Sequence, residues 1–185
     1  KEAITQHARV RYAHQSEQLG TGHAVACALP TVPDGCRHVL ILCGDVPLVT
    51  DKTVRKLIDD HLKFQRDVSV LAMQVDDPAG YGRILTGTDG RVTAIVEEAD
   101  ATDEQKTVRV VNRGIYCVEI TFLSESLNLI KSDNAQGELY LTDIIAIGKL
   151  GGKNVGAMIA KNANEFHGIN SKADLAVVEG LLRQR

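Results

Sequence analysis

The sequence predicts an α/β fold, in which a mixed, mostly parallel sheet carries helices on both faces and a small antiparallel insertion. Three observations lead to this prediction. Strand-length segments alternate with segments of helical periodicity along most of the 185 residues, which is typical of a sheet covered by helices. The apolar run Val39–Cys43 is typical of a strand buried on both faces in a parallel sheet. The turn signal Thr88-Asp89-Gly90 separates Tyr81–Leu85 from Arg91–Glu97 and so indicates a hairpin.

The elements before the hairpin follow from local patterns. Arg9–Gln15 is predicted as a short amphipathic strand, and His23–Leu29 as a helix that follows a glycine-rich turn. Asp51–Gln65 gathers its apolar residues on one helical face, and Thr50 precedes it as a suitable N-cap. Val68–Val75 is rich in apolar residues and is predicted as the next strand.

The elements after the hairpin continue the alternation of strand and helix. Gly151-Gly152 ends one predicted helix, and Ser171 with Asp174 has the spacing of a capping box that opens the last helix. The predicted elements are the strand Val108–Val118, the helix Ile120–Lys131, the helix Leu141–Leu150, the strand Asn154–Ala160 and a helix from Ser171 to about Leu182.

Composition excludes several classes of protein. Hydrophobic residues make up 44% and charged residues 24% of the chain, which is typical of a globular protein. No apolar run approaches the roughly 20 residues of a membrane span, and a net charge of −3 without a basic stripe argues against nucleic acid as a partner. Cys27, Cys36, Cys43 and Cys117 form no Cys-x-x-Cys pair, and three of them lie in apolar segments. We therefore expect mostly buried free thiols and a cytoplasmic location.

Asp45 is the most informative residue. Gly44 and Pro47 end the apolar run, so Asp45 lies at the carboxyl edge of the predicted sheet, where open α/β folds bind ligands. A carboxylate at this edge is suited to hold a divalent cation against phosphate oxygens. An ordinary turn aspartate explains the segment equally well.

Four further segments have both a structural and a functional interpretation. Gly20-Thr21-Gly22 is either a tight turn that opens a helix or a place where backbone approaches a base or phosphate. Gly82 marks either a bulge or close approach of a sugar. Glu97-Glu98 is either a solvated turn or a carboxylate acceptor for sugar hydroxyls. Asn112 interrupts an apolar strand and, if buried, needs a hydrogen-bond partner from protein or ligand.

Two loops complete the candidate residues. The polar segment Asn134–Asp143 is, taken alone, best explained as a loop with Thr142 or Asp143 as a helix cap. Gly168-Ile169-Asn170 is a loop before the last helix. No Ser/His/Asp or Cys/His arrangement indicates covalent catalysis.

Five motifs, taken together and in order, resemble the uridylyltransferase domain of the bacterial N-acetylglucosamine-1-phosphate uridylyltransferases. They are Gln15-x-x-Gln18-Leu19-Gly20-Thr21-Gly22-His23-Ala24, Gly44-Asp45-Val46-Pro47-Leu48, Asp77-Pro78-x-Gly80-Tyr81-Gly82-Arg83-Ile84, Ile95-Val96-Glu97-Glu98-x-Asp100-Ala101-Thr102 and Asn134-Ala135-Gln136-Gly137-Glu138-x-Tyr140-Leu141-Thr142-Asp143. The resemblance implies the Rossmann-like nucleotide-diphospho-sugar transferase fold. It also implies a bifunctional, trimeric full-length protein whose second domain is a β-helical acetyltransferase.

The resemblance implies a role for each matching residue. Nucleotide contacts would come from Gln15, Gly20, Thr21, Cys43, Gly44 and Asp45, and contacts to the sugar or its phosphate from Gly82, Glu97, Asn112, Glu138, Tyr140 and Thr142. Asp45 and Asn170 would hold Mg²⁺. The implied reaction joins UTP and N-acetylglucosamine 1-phosphate into UDP-N-acetylglucosamine, a cell-wall precursor, and pyrophosphate, by in-line attack on the α-phosphorus without a protein nucleophile.

The chain also departs from the family pattern. Arg113 replaces a small residue or Thr, His167 a frequent acidic residue and Leu139 a frequent Tyr, which puts the fine sugar contacts in question. No segment matches the family's first strand and its glycine-rich loop, which binds the triphosphate. We therefore expect residues 1–185 to be one partial domain with little turnover of its own. Two alternatives are another sugar-1-phosphate nucleotidyltransferase and a nucleotide-sugar binding module without catalysis.

Overall fold

A computed structural model describes residues 10–183 of the chain. Six helices and six strands lie within this range. In chain order they are α1 (Thr21–Ala28), β1 (His38–Ile41), α2 (Asp51–Lys63), β2 (Val68–Gln74), β3 (Arg83–Thr86), β4 (Val92–Val96), α3 (Asp103–Lys106), β5 (Val110–Glu119), α4 (Ile120–Leu127), α5 (Asp143–Leu150), β6 (Val155–Ala160) and α6 (Lys172–Arg183). Short 3₁₀ turns cover Leu29–Thr31 and Ala163–Phe166.

The six described strands form one mixed sheet in the order β4-β3-β5-β2-β6. Strand β1 also pairs with β5, along the half of β5 that β3 leaves free. Strands β2 and β6 are parallel, whereas the other four pairs are antiparallel. The α/β class and the antiparallel β3–β4 hairpin are therefore confirmed, but the expectation of mostly parallel pairing is wrong for the described strands.

The direction of β5 explains this difference. Strands β1, β2, β3 and β6 all run the same way, as a parallel sheet requires. Strand β5 runs the opposite way and lies between β2 on one side and β1 and β3 on the other. Strands β1, β2 and β3 therefore each pair with β5, antiparallel, instead of pairing with one another.

Both faces of the sheet are covered by helices, as predicted. Alternate residues of β2 point to opposite sides because side chains alternate along a strand. Val68, Val70 and Ala72 pack against residues of α4 and α5. Leu71 and Met73 pack in a second cluster that contains Leu57 of α2.

Two predicted strands at the start of the chain need correction. Val39–Cys43 was expected to be buried on both faces, but β1 is shorter, antiparallel to β5 and only half-buried, because among the described strands it has a partner on one side. Residues 10–15 form no strand, and Arg9 lies outside the described residues. A side-chain contact, and not pairing with another strand, holds this segment: Arg11 Nη1 donates a hydrogen bond to Thr31 O at 2.9 Å.

The predicted helix caps at Thr50 and at Ser171 with Asp174 are confirmed. The Thr50 hydroxyl accepts from the Thr53 amide at 3.3 Å and caps α2. Ser171 and Asp174 bond reciprocally: the Asp174 amide donates to Ser171 Oγ, and the Ser171 amide donates to Asp174 Oδ2. Of the helices within residues 10–183, none combines the length and the hydrophobicity that crossing a bilayer requires.

Candidate active-site cleft

A cleft of about 650 Å³ lies where the loop after β1, the start of β3, the middle of β5 and the loop before α6 meet. Six of the predicted site residues line it: Cys43, Asp45, Gly82, Glu97, Asn112 and Asn170. Asp77, Tyr81, Arg113, His167 and Asp174 line it as well, and none of these was predicted as a site residue. The fold thus brings together residues that lie as far apart in sequence as Cys43 and Asn170.

One end of the cleft holds Asp45 and Asn170. The Ile169 amide donates to Asp45 O at 2.9 Å and fixes the loop before α6 against the loop after β1. Asn170 Nδ2 and Asp45 Oδ2 lie 3.6 Å and 3.7 Å from the point where a Cβ on Gly168 would stand, so both side chains face the same small space. The Asp45 side chain makes no hydrogen bond or ion pair to any residue in the range 10–183.

Asp174 holds Asn170 in place. Its Oδ2 accepts hydrogen bonds from the Asn170 amide, the Ser171 amide and the Ser171 hydroxyl, at 3.0, 2.8 and 2.9 Å. The hydrogen bond from the Ser171 hydroxyl, and then the one from the Asn170 backbone amide, lower the pKa of Asp174, so this carboxylate stays ionised in the first turn of α6, where it bonds reciprocally with Ser171.

The chemistry of this end fits Mg²⁺. Mg²⁺ prefers oxygen ligands and is usually bound through one or two protein groups together with substrate phosphates. Asp45 offers carboxylate oxygens that no described residue occupies, and Asn170 brings its side-chain amide group, whose oxygen is a possible Mg²⁺ ligand, to the same part of the cleft. Within residues 10–183, no group of three or more His, Cys, Asp or Glu side chains is placed to hold a metal ion.

The other end of the cleft holds Gly82 and Glu97. A Cβ on Gly82 would stand 2.9 Å from Glu97 Oε2, so only glycine leaves this carboxylate where it is. The Thr142 hydroxyl donates to Glu97 Oε1 at 3.0 Å. Burial raises the pKa of Glu97 above its ordinary value; the bond from Thr142 opposes the shift, and Asp100 and Asp143 add to it.

Asn112 lies between the two ends and is hydrogen-bonded by the protein itself. Its Nδ2 donates to Tyr116 Oη at 2.8 Å, and its Oδ1 accepts from the Gly114 amide at 2.9 Å. Gly114 has φ +69°, and the thiol of Cys43 donates to its carbonyl at 3.2 Å. The expectation that Cys43 is buried is wrong: this side chain is largely exposed at the cleft, and Cys36 is exposed as well.

The other predicted site residues are not part of the cleft lining. They are Gln15, Gly20, Thr21, Gly44, Glu138, Tyr140 and Thr142. Two backbone bonds of 2.7 Å, from Gly22 N to Leu139 O and from Leu139 N to Leu19 O, join the glycine-rich turn to the segment around Leu139. The Thr21 hydroxyl also accepts from the Leu141 amide at 3.0 Å. The glycines of this turn therefore face protein backbone rather than open space.

Three of these residues have contacts that differ from the sequence expectation or add to it. Thr142 occupies the N-cap of α5, but its hydroxyl donates to Glu97 instead of capping the helix. Tyr140 donates to Gln136 Oε1 at 2.8 Å. Gln15 Nε2 donates to Gly20 O at 3.2 Å and so supports the glycine-rich turn from within the protein.

Comparison with known proteins identifies a family and several relatives that the chain resembles. The nucleotidyl transferase family matches residues 1–164. The chain is 47% identical to a bifunctional protein GlmU of Syntrophotalea carbinolica over 176 residues and 48% identical to one of Heliobacterium modesticaldum over 177, covering 95% and 96% of this chain. It spans 38% and 39% of the length of those two relatives.

A solved structure shares the fold. A putative glucose-1-phosphate thymidylyltransferase from Bacillus anthracis, solved in complex with a sucrose, superposes with a TM-score of 0.70 at 21% identity. The match covers 92% of this chain and 64% of that one.

Proposed function

The chain belongs to the nucleotidyl transferase family, and from this premise we propose that it serves the synthesis of UDP-N-acetylglucosamine and pyrophosphate from UTP and N-acetylglucosamine 1-phosphate. One observation carries the proposal: a single cleft contains Asp45, whose carboxylate has no described partner, with the side-chain amide of Asn170 at one end, and the half-buried carboxylate of Glu97 beside Gly82 at the other. This arrangement suits a ligand with phosphates at one end and a sugar at the other.

The residues of the cleft have binding and orienting roles in this proposal. Asp45 and Asn170 would hold Mg²⁺, which when bound neutralises phosphate charge. Glu97 would accept hydrogen bonds from sugar hydroxyls, and Gly82 would let the sugar ring approach the backbone. Asn112, already held by Tyr116 and Gly114, would present a fixed amide edge to the sugar.

No protein nucleophile is required. A phosphate oxygen of N-acetylglucosamine 1-phosphate forms a bond to the α-phosphorus of UTP, and the bond from that phosphorus to the pyrophosphate oxygen breaks. Catalysis then rests on alignment of the two reactants and on preorganised charge. We propose that this takes place in the cytoplasm with UTP and the sugar phosphate as small-molecule partners.

Calorimetry tests the proposed ligand. We expect the chain to bind UDP-N-acetylglucosamine, to bind it more tightly with Mg²⁺ than with a chelator, and to bind dTDP-glucose at least about tenfold more weakly. Equal affinity for dTDP-glucose would favour a different sugar nucleotide, and no binding to either would contradict the proposal. Pyrophosphate release, measured in parallel, separates an enzyme from a binding module.

An Asp45→Asn variant tests the metal end. Because the amide is a weaker ligand than the carboxylate, we expect D45N to lose most of the Mg²⁺-dependent gain in affinity while its affinity in chelator stays the same. Asp51→Asn is the matched control, since Asp51 is exposed, pairs with Arg55 at 2.8 Å and lies outside the cleft. If D45N and D51N gained equally from Mg²⁺, Asp45 would not be a ligand.

A further inference from the structure

We propose that Arg113 is a positioning residue that sets the location of Asn170 in the cleft and thereby the affinity of the metal end. The inference rests on the proposed function. Arg113 is buried in the lining of the cleft, next in sequence to Asn112.

The contacts of Arg113 cross the cleft. Its side chain leaves β5 next to Asn112, and the residue is only 6% exposed. The guanidinium carbon lies 4.5 Å from the centroid of the Tyr81 ring and 6.0 Å from that of Phe166. Its Nη2 donates to the carbonyl of Phe166. One planar cation thus contacts both the loop before β3 and the loop before α6.

The Tyr81 side of this contact is firmly held. Arg83 is 1% exposed, forms an ion pair of 2.6 Å with Glu98 and donates to the Tyr81 carbonyl. Glu98 Oε2 also accepts from the Gly80 amide at 3.1 Å. The backbone at Tyr81, which carries the ring that Arg113 contacts, is therefore held by these bonds.

The Phe166 side leads directly to Asn170. Phe166 ends the 3₁₀ turn, and Asn170 follows four residues later. The Phe166 ring is buried in the core cluster with Leu57, and the neighbouring Glu165 accepts hydrogen bonds from Thr50. Between Phe166 and Asn170, two further hydrogen bonds hold the chain: Ile169 N donates to Asp45 O, and Asn170 N donates to Asp174 Oδ2. Loss of the Arg113 contact would leave the Phe166 end of the stretch without its bond to β5.

A structural role alone would not require this cation. Arg113 Nε is buried and has no hydrogen-bond partner within residues 10–183, and burying an unpaired donor is unfavourable. An apolar side chain would fill the same space without that cost. The guanidinium combines two properties that such a side chain lacks: a planar face for Tyr81 and a donor for Phe166 O.

Three variants test the inference. Arg113→Met keeps the stem and removes the donor, Arg113→Lys keeps the charge, and Arg109→Met is the control, since Arg109 is 61% exposed and lies 3.8 Å from Asp76. We expect R113M to raise the Mg²⁺ concentration for half-maximal UDP-N-acetylglucosamine binding by about tenfold, the size typical of lost outer-shell contacts. R113K should be intermediate, and R109M and all affinities in chelator should be unchanged.

Amide hydrogen exchange without Mg²⁺ supplies a second readout. R113M should accelerate exchange of the Ile169 amide, which donates to Asp45 O, relative to the amide of Val70 in the buried strand β2. Equal acceleration at both amides would mean global destabilisation and would overturn the inference. An affinity loss of equal size with and without Mg²⁺ would overturn it too, because Arg113 would then contact the ligand directly.

The two proposals fail differently. Absence of UDP-N-acetylglucosamine binding by the unaltered chain would overturn the proposed function and the role of Arg113 with it. Binding by the unaltered chain together with an unchanged Mg²⁺ requirement in R113M would overturn only the role of Arg113.

Discussion

Gly20→Ala should destabilise the chain strongly, because two separate effects act at this position. Gly20 has φ +111°, outside the regions that alanine adopts readily. A Cβ there would also stand 2.7 Å from Leu139 O and 2.8 Å from Leu139 N. Both contact atoms belong to backbone, so they can give way only by moving the segment around Leu139.

The magnitude follows from comparison of three glycines. Gly35 has φ +83° with nothing within 4 Å of its Cβ position, so G35A measures the backbone effect alone, about 1–2 kcal/mol. Gly22 lacks a positive φ but would bring a Cβ 2.9 Å from Leu139 O, so G22A measures the contact alone, about 1–3 kcal/mol. G20A combines both and weakens the bonds to Leu139, for a loss of about 3–5 kcal/mol.

Equilibrium urea unfolding measures these free energies. The chain has no tryptophan, so far-ultraviolet circular dichroism is the appropriate signal. The three variants need equal slopes with denaturant for the comparison to hold. If G20A and G35A lost the same free energy of unfolding, the glycine-rich turn would not lie against Leu139, and this reasoning would be refuted.

Two pH profiles test Glu97 and His61, whose pKa values are shifted. Burial raises the pKa of Glu97, and only the ionised carboxylate accepts hydrogen bonds from two sugar hydroxyls. The calorimetric affinity for UDP-N-acetylglucosamine should therefore fall as the pH decreases through this raised pKa. The affinity of the Glu97→Gln variant should not change over the same pH range. Burial, with His38 nearby, lowers the pKa of His61 to about 4. Between pH 4 and 6.5 the native state therefore binds fewer protons than the unfolded state. The free energy of unfolding should decrease by on the order of 2 kcal/mol as the pH falls through this range. His61→Asn should lack this part of the decrease, and an unchanged profile would contradict the assignment.

Interactions within a few residues were predictable from sequence. In each predicted cap, the donor and the acceptor are three residues apart: Thr53 bonds to Thr50, and Asp174 bonds to Ser171. Residue type and spacing alone therefore identify these caps. The hairpin turn at Gly90 is local in the same sense. Predictions of this kind need no knowledge of the remaining chain.

Long-range partners were not predictable in the same way. The apolar run at Val39–Cys43 is compatible with parallel or antiparallel neighbours, and its partner β5 begins about 70 positions later. The sequence predicts that another group lies close to the backbone at Gly20, and in the structure that group is the backbone of Leu139. The sequence does not show whether the neighbouring group belongs to a ligand or to the protein. The contact between Arg113 and Tyr81 was not predicted either. The sequence indicated only that Arg113 departs from the family pattern.

The candidate site shows the same division. The five motifs contain Asp45, Gly82 and Glu97, and the family resemblance added Asn112 and Asn170; all five residues line the cleft. The residues that hold them in place were missed: Asp174 was predicted only as a cap and also fixes Asn170, and Arg83 and Glu98 hold the Tyr81 loop. Supporting residues of this kind become visible only once the backbone positions are known.

The most direct test of the central claim is a crystal structure of the chain with UDP-N-acetylglucosamine and Mn²⁺, whose anomalous signal marks the metal in place of Mg²⁺. We predict a single strong anomalous peak between Asp45 and Asn170, with diphosphate oxygens as its other ligands and the sugar against Gly82, Glu97 and Asn112. A metal peak away from Asp45, or a sugar nucleotide bound outside this cleft, would contradict the account.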